Sequence, residues 1–121
     1  MSLHAYPTVQ DVPGFVDFLK NVFGPSHKIE SKELHVGSAG GYHGEVQIGD
    51  SLLMMGGGAP NLSWKGEPAP MAFHIYVPDV DAAYARAIAA KAKSLQSPKD
   101  QEWGERTANV KDPFGNNWYI A

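Results

Sequence analysis

Apolar residues along this chain switch between two spacings in an order that occurs twice. His4 to Val9 alternates as a strand does, and Phe15, Phe18, Leu19, Val22 and Phe23 then recur at helical spacing to make one apolar stripe, which Gly24-Pro25 ends. Asp11 stands where a helix needs a capping side chain, and Pro13 falls in the first turn, where its missing N–H removes no bond. A helix is therefore predicted from about Val12. A polar strand follows around Lys28 to Val36, then a glycine-rich link at Gly37 to Gly41. Next comes a hairpin in which His43 to Ile48 alternates, Gly49-Asp50 turns and Ser51 to Met55 returns.

The second half repeats this order. Ala5 to Val12 and Phe73 to Val80 both run through Val-x-Asp-Val into an apolar-periodic helix. The pattern predicts a strand over Met71 to Val77, Asp79 or Asp81 as N-cap and a helix through Ala92. A short strand near Ser94 to Gln96, a strand from Arg106 to Lys111, a turn at Asp112-Pro113-Phe114-Gly115-Asn116 and a last strand from Asn117 to Ile120 complete it. Between the halves, Gly56 to Pro70 reads as an irregular link able to serve as a lid. The expected organisation is one domain over 1–121, with module one at about 3–56, the link at 57–70 and module two at about 71–121.

Composition narrows the function. With 121 residues, a net charge of −3 and ten scattered Lys and Arg, the chain lacks the basic stripe of a nucleic-acid binder. It has no cysteine, hence no disulfide or thiolate chemistry, and no N-terminal apolar run of signal-peptide or membrane-span length. A cytoplasmic protein with no membrane partner is the expectation. The glycines at 56 to 58 are not a phosphate loop, since no Lys-Ser or Lys-Thr follows them.

The order βαβββ-βαβββ, with Val77-Pro78-Asp79-Val80-Asp81-Ala82-Ala83-Tyr84 opening the second helix and Asp112-Pro113-Phe114-Gly115-Asn116 before the last strand, resembles the vicinal oxygen chelate superfamily of glyoxalases, bleomycin-resistance proteins and extradiol dioxygenases. Together with Trp103-Gly104-Glu105-Arg106 upstream, that turn resembles the glyoxalase-like, bleomycin-resistance-like branch. The resemblance implies an α+β fold in which two βαβββ modules form an open, curled mixed sheet around a cavity, with helices outside, commonly as a homodimer. It also implies four metal positions, two per module. They fall on His4, five residues before Val9, on about Met54, on Ala72, five before Val77, and on Tyr119, four past Gly115. One position in four carries a suitable donor, so the family's metal site is expected to be lost and no cofactor is assigned.

Strand parity yields the pocket face independently of any family. If Ala5, Pro7, Val9, Val46, Ile48, Phe73, Ile75, Val77, Trp118 and Ile120 pack on the helices, the opposite face carries His4, Tyr6, Thr8, His43, Glu45, Gln47, Ala72, His74, Tyr76, Asn117 and Tyr119. Such a face suits an amphipathic or aromatic small molecule, although a wet groove or a dimer contact has the same composition. His74 and Glu45 are the candidate catalytic pair, as general acid and base. His4, Tyr6, Gln47, Met54, Tyr76, Trp103, Arg106 and Tyr119 are the candidate ligand contacts. His27 and His35 lie in the polar strand with Lys28, Glu30, Lys32 and Glu33 and read as facing water. The leading expectation is a small-molecule binder without the family metal. The alternatives are a lyase, isomerase or oxygenase using a rearranged divalent-metal site at His4, His74 and Glu45 or metal-free acid/base chemistry, and a dimeric scaffold with a vestigial pocket.

Overall fold

The protein's structure, a computed structural model, describes residues 1–37, 41–58 and 67–121. Its elements are β1 (Thr8–Val9), α1 (Val12–Phe23), β2 (Ile29–Val36), β3 (Tyr42–Ile48), β4 (Ser51–Gly57), β5 (Ala72–Ile75), α2 (Val80–Ala89), β6 (Lys93–Asp100), β7 (Arg106–Lys111) and β8 (Asn117–Ile120). They divide into two compact units, Met1–Pro70 and Met71–Ala121. Each unit is one βαβββ module. Four strands form an open mixed sheet, ordered β1-β4-β3-β2 in the first and β5-β8-β7-β6 in the second. In both, the strand before the helix pairs in parallel with the last strand of its module.

Both helices start at the duplicated Asp. Asp11 Oδ1 accepts the Gly14 N–H at 2.9 Å and Asp79 Oδ1 accepts the Ala82 N–H at 3.1 Å, each satisfying a first-turn donor that has no partner within the helix. Of the two N-cap candidates in module two, Asp79 takes the role and Asp81 lies inside the first turn. Helix α1 buries Val12, Phe15, Val16, Phe18, Leu19, Val22 and Phe23 against Val46, Leu53 and Met55 of the sheet. Helix α2 is narrower, burying Val80, Ala83 and Ala87, and it packs over Ala108, Val110, Trp118 and Ile120.

Several boundaries differ from the sequence expectation. Strand β1 is only two residues long, because residues 4–7 meet β4 through single bonds such as Met54 N–H to Ala5 C=O (3.3 Å) and Gly56 N–H to Pro7 C=O (3.2 Å). Strand β6 runs to Asp100, past Pro98, with register irregularities between Ser94 and Lys99 that let an edge strand carry a proline. Helix α2 stops at Ala89, three residues short of Ala92, where a left-handed residue at Lys91 (φ 73°) turns the chain. The glycine link falls partly, and the proposed lid largely, outside the described residues.

The Asp-Pro-x-Gly-Asn turn is a hydrogen-bonded knot. Buried Asp112 accepts from Phe114 N–H, Asn116 N–H, Asn116 Nδ2 and Trp118 Nε1 at 2.8–3.1 Å, while Asn116 Oδ1 accepts the Met71 N–H at 2.9 Å. One carboxylate thereby joins the β7–β8 turn to the indole beneath α2. The Asn116 amide ties the same turn to the start of β5.

Candidate functional site

In module one, β3 sorts its side chains by parity. Gly44 and Val46 face α1, and a Cβ at Gly44 would touch Val12, so His43, Glu45 and Gln47 stand on the opposite, open face. His43 is the hub. Its Nε2 lies 3.0 Å from Glu45 Oε2 and 4.0 Å from Glu33 Oε2, and its Nδ1 is 3.2 Å from the Tyr6 hydroxyl. Glu33 Oε1 in turn meets His35 Nδ1 at 3.0 Å. Tyr6 reaches His43 because the residue facing His43 on β4 is Gly56, where any Cβ would collide with the tyrosine ring. The His43 hydrogen bond, with Glu33 next, holds the Glu45 carboxyl below its ordinary value of 4.5.

The other module-one candidates are individually anchored. His4 Nδ1–H donates to the Leu52 carbonyl at 3.1 Å, and its Nε2 meets the Ser2 hydroxyl at 2.8 Å, so both ring nitrogens are engaged. Gln47 Nε2 donates to the Gly49 carbonyl at 3.1 Å, and Met54 faces Glu45 across the β3–β4 ladder.

In module two the open face is a row set by register: Asn109 of β7, Tyr119 of β8 and His74 of β5 lie side by side. Ala72 and Lys111 flank Asn117 in the adjacent row. The His74 and Tyr76 rings are 4.8 Å apart, and Tyr76 and Tyr119 are exposed. Asn109 Oδ1 and Asn117 Oδ1 are buried and have no hydrogen-bond partner among the described residues, a state uncommon for buried polar atoms in native proteins.

Arg106 and Trp103 lie elsewhere. Arg106 shares the parity of buried Ala108 and Val110, which puts it on the α2 side of its sheet. There it grips Asp81 through Nε (2.7 Å) and Nη2 (2.9 Å) and Asp100 through Nη1 (3.1 Å). Its guanidinium is held well above the ordinary range by these two carboxylates, Asp81 foremost, and Asp81 is lowered in return. Trp103 sits on the β6–β7 turn, exposed, with Nε1–H donating to Glu105 Oε1 at 2.8 Å.

A family model described as the Glyoxalase/Bleomycin resistance protein/Dioxygenase superfamily matches residues 3–120. The chain belongs to this superfamily. An uncharacterized protein of Mycobacterium bovis is 30% identical over 99% of this chain and 82% of its own length, and one from Mycobacterium tuberculosis is 30% identical over 99% and 73%. Among solved structures, TioX from Micromonospora sp. ML1 aligns with a TM-score of 0.68 at 23% identity, covering 99% of this chain and 94% of TioX. A mutant glyoxalase I of Zea mays aligns with a TM-score of 0.74 at 15% identity, covering 98% of this chain and 43% of that enzyme. These likenesses establish the superfamily's fold.

The resemblance implies the superfamily's metal positions at His4 and Met54 in module one and at Ala72 and Tyr119 in module two. A methyl group has no lone pair, a thioether is a soft donor, and Tyr119 is an exposed phenol rather than a carboxylate. The donor set does not fit the superfamily's hard, carboxylate-rich cation site, and no chemical step is derived through it.

Sequence reasoning passed over Glu33 and His35, which read as solvated, and left His43 unassigned. A bulge decides their placement. Ser31 pairs with Val46, Lys32 is skipped, and Glu33 pairs with Glu45. Without that extra residue Lys32 would oppose Glu45, and Glu33 and His35 would share the α1 side with Val46.

Proposed function

We propose that this chain is a small-molecule-binding member of the superfamily that works without the superfamily's metal and receives an amphipathic or aromatic ligand on its open sheet faces. The observation that carries this reading is the pair of buried amide oxygens at Asn109 and Asn117 that have no partner among the described residues, in the sheet that carries Tyr119 and His74, with Tyr76 against His74. Two acceptors in need of donors next to aromatic faces match a ligand with a flat apolar body and N–H or O–H groups. His4, Tyr6, Gln47 and Met54 line the corresponding face of module one, whereas Arg106, occupied by Asp81 and Asp100, is left out of the ligand set.

The test is a thermal-shift screen of aromatic and amphipathic compounds, followed by calorimetry on hits. Asn117→Ala and Tyr119→Ala should each weaken binding about tenfold, the equivalent of one lost good contact. Equal affinity in both variants, or turnover of a glutathione hemithioacetal or a catechol by the unmodified chain, would defeat the binder reading.

A second reading is favoured by the Tyr6–His43–Glu45 relay, since a hydroxyl, an imidazole and a carboxylate in series are the parts of metal-free acid/base catalysis. In this reading Glu45 remains a base candidate through His43, and His74 remains an acid candidate beside Tyr76. We further propose a cytoplasmic homodimer, with the exposed Trp103 and Leu95 side chains as candidate contacts; sedimentation velocity reads its mass directly.

A further inference from the structure

We propose that Glu33, His43 and Glu45 of module one form a binding site for a divalent transition-metal cation of the zinc class, at positions separate from the four that the superfamily uses. One ligand atom from each of the three lies within 4.8 Å of the others. Zinc bonds to imidazole nitrogen and carboxylate oxygen are about 2.0–2.2 Å, so tetrahedral ligands stand roughly 3.3–3.5 Å apart. The His43 separations of 3.0 Å to Glu45 and 4.0 Å to Glu33 straddle that edge, and small rotations of two carboxylates bring all three onto one ion.

Three further features point the same way. Tyr6 sits on His43 Nδ1; with the phenol oxygen accepting the Nδ1–H, Nε2 is aimed at the two carboxylates, and a cation that displaces its proton there meets a ligating nitrogen already oriented by an outer hydrogen bond. Glu33 and Glu45 are directly opposed across the β2–β3 ladder, where a cation bound between them would offset the repulsion of two ionised carboxylates. The bulge at Lys32 creates the opposition, and His35, bonded to the far oxygen of Glu33, holds that carboxylate toward His43. A fourth position is left to water or to a ligand oxygen. All donors come from two paired strands of one module, so the site is built without reference to the ligand-binding reading.

Tag-free protein, stripped with chelator and dialysed, is titrated with Zn²⁺ alone by calorimetry, and the Co²⁺ form is examined for tetrahedral visible bands. One zinc per chain is expected, with affinity at least about tenfold weaker in His43→Gln and Glu45→Gln and several-fold weaker in Tyr6→Phe. His27→Ala should match the unmodified protein in zinc affinity. Circular dichroism melts of each variant separate loss of donor from loss of fold, and Glu45→Gln is isosteric. Absence of stoichiometric zinc means that a proton alone joins His43 to the carboxylates and overturns the proposal. So does zinc retained at full affinity in His43→Gln, or lost in His27→Ala. Because no organic ligand is present, failure of the small-molecule screen leaves this result unaffected.

Discussion

Asp112 gathers four N–H donors on one buried carboxylate, including the indole of Trp118. Removing it leaves interior donors with no acceptor, each costing about 1–3 kcal/mol, and more for a bond to a charged group. Asp112→Ala should therefore destabilise the protein by roughly 3 kcal/mol or more, read as a lower urea midpoint with Trp fluorescence as probe. The turn itself was legible, since Pro and Gly occupy positions such a turn tolerates and Gly115 has φ 93°. That its Asp reaches under the sheet to Trp118 was not legible, because the bond joins a turn to the packed face of a strand. Arg106 teaches the same lesson. Its charge and its place ahead of the last hairpin made it a candidate ligand contact, but parity with Ala108 and Val110 points it at Asp81 on α2. Parity is readable only once a register is known.

At the scale of elements, α2 ends in a Schellman motif with an unusual occupant. Ala92 N–H bonds to Ala87 C=O at 3.0 Å and Lys91 N–H to Ile88 C=O at 3.0 Å, with Lys91 in the left-handed conformation that glycine adopts without cost. An L side chain there costs about 1 kcal/mol, and Lys91 is exposed, so its side chain returns little packing. Lys91→Gly is expected to raise stability by roughly 0.5–1 kcal/mol, measurable as an increase of a few degrees in Tm. The starts of both helices were readable because a cap is a local event: Asp11 and Asp79 bond to N–H groups three residues away. The end of α2 was misplaced by three residues, since apolar spacing continues past a turn made by one backbone angle. The β2 bulge is the larger omission. Nothing local in Glu30-Ser31-Lys32-Glu33 marks where the extra residue falls, and only pairing with β3 decides it.

For the whole molecule, pH should act through exposed ion pairs. Lys32, followed by Lys28, holds Glu30 at about 2 instead of 4.5, and Arg106 holds Asp81 below its ordinary 3.8. Both carboxyls are depressed in the folded state, so the unfolded chain binds more protons in acid. Their stabilisation is present above the ordinary carboxyl values and is lost as pH falls through the folded ones. Calorimetric Tm should thus show no loss from these pairs near neutrality and should decline below about pH 4.5. The decline should be shallower at high salt and in Asp81→Asn, because the pairs are exposed and screened. What the sequence by itself determined is the α+β class, the duplication, the capped helix starts and which strand residues share a face with Val46 or Trp118, because periodicity and capping act over a few neighbouring residues. The tertiary structure alone decided that Glu33 joins His43 and Glu45 and that Arg106 is spent on Asp81. It alone also placed Asn109 beside Tyr119 and left the Asn109 and Asn117 oxygens without a partner among the described residues. These outcomes depend on strand register and on a single inserted residue, and a register is a property of two strands pairing, which no one segment encodes.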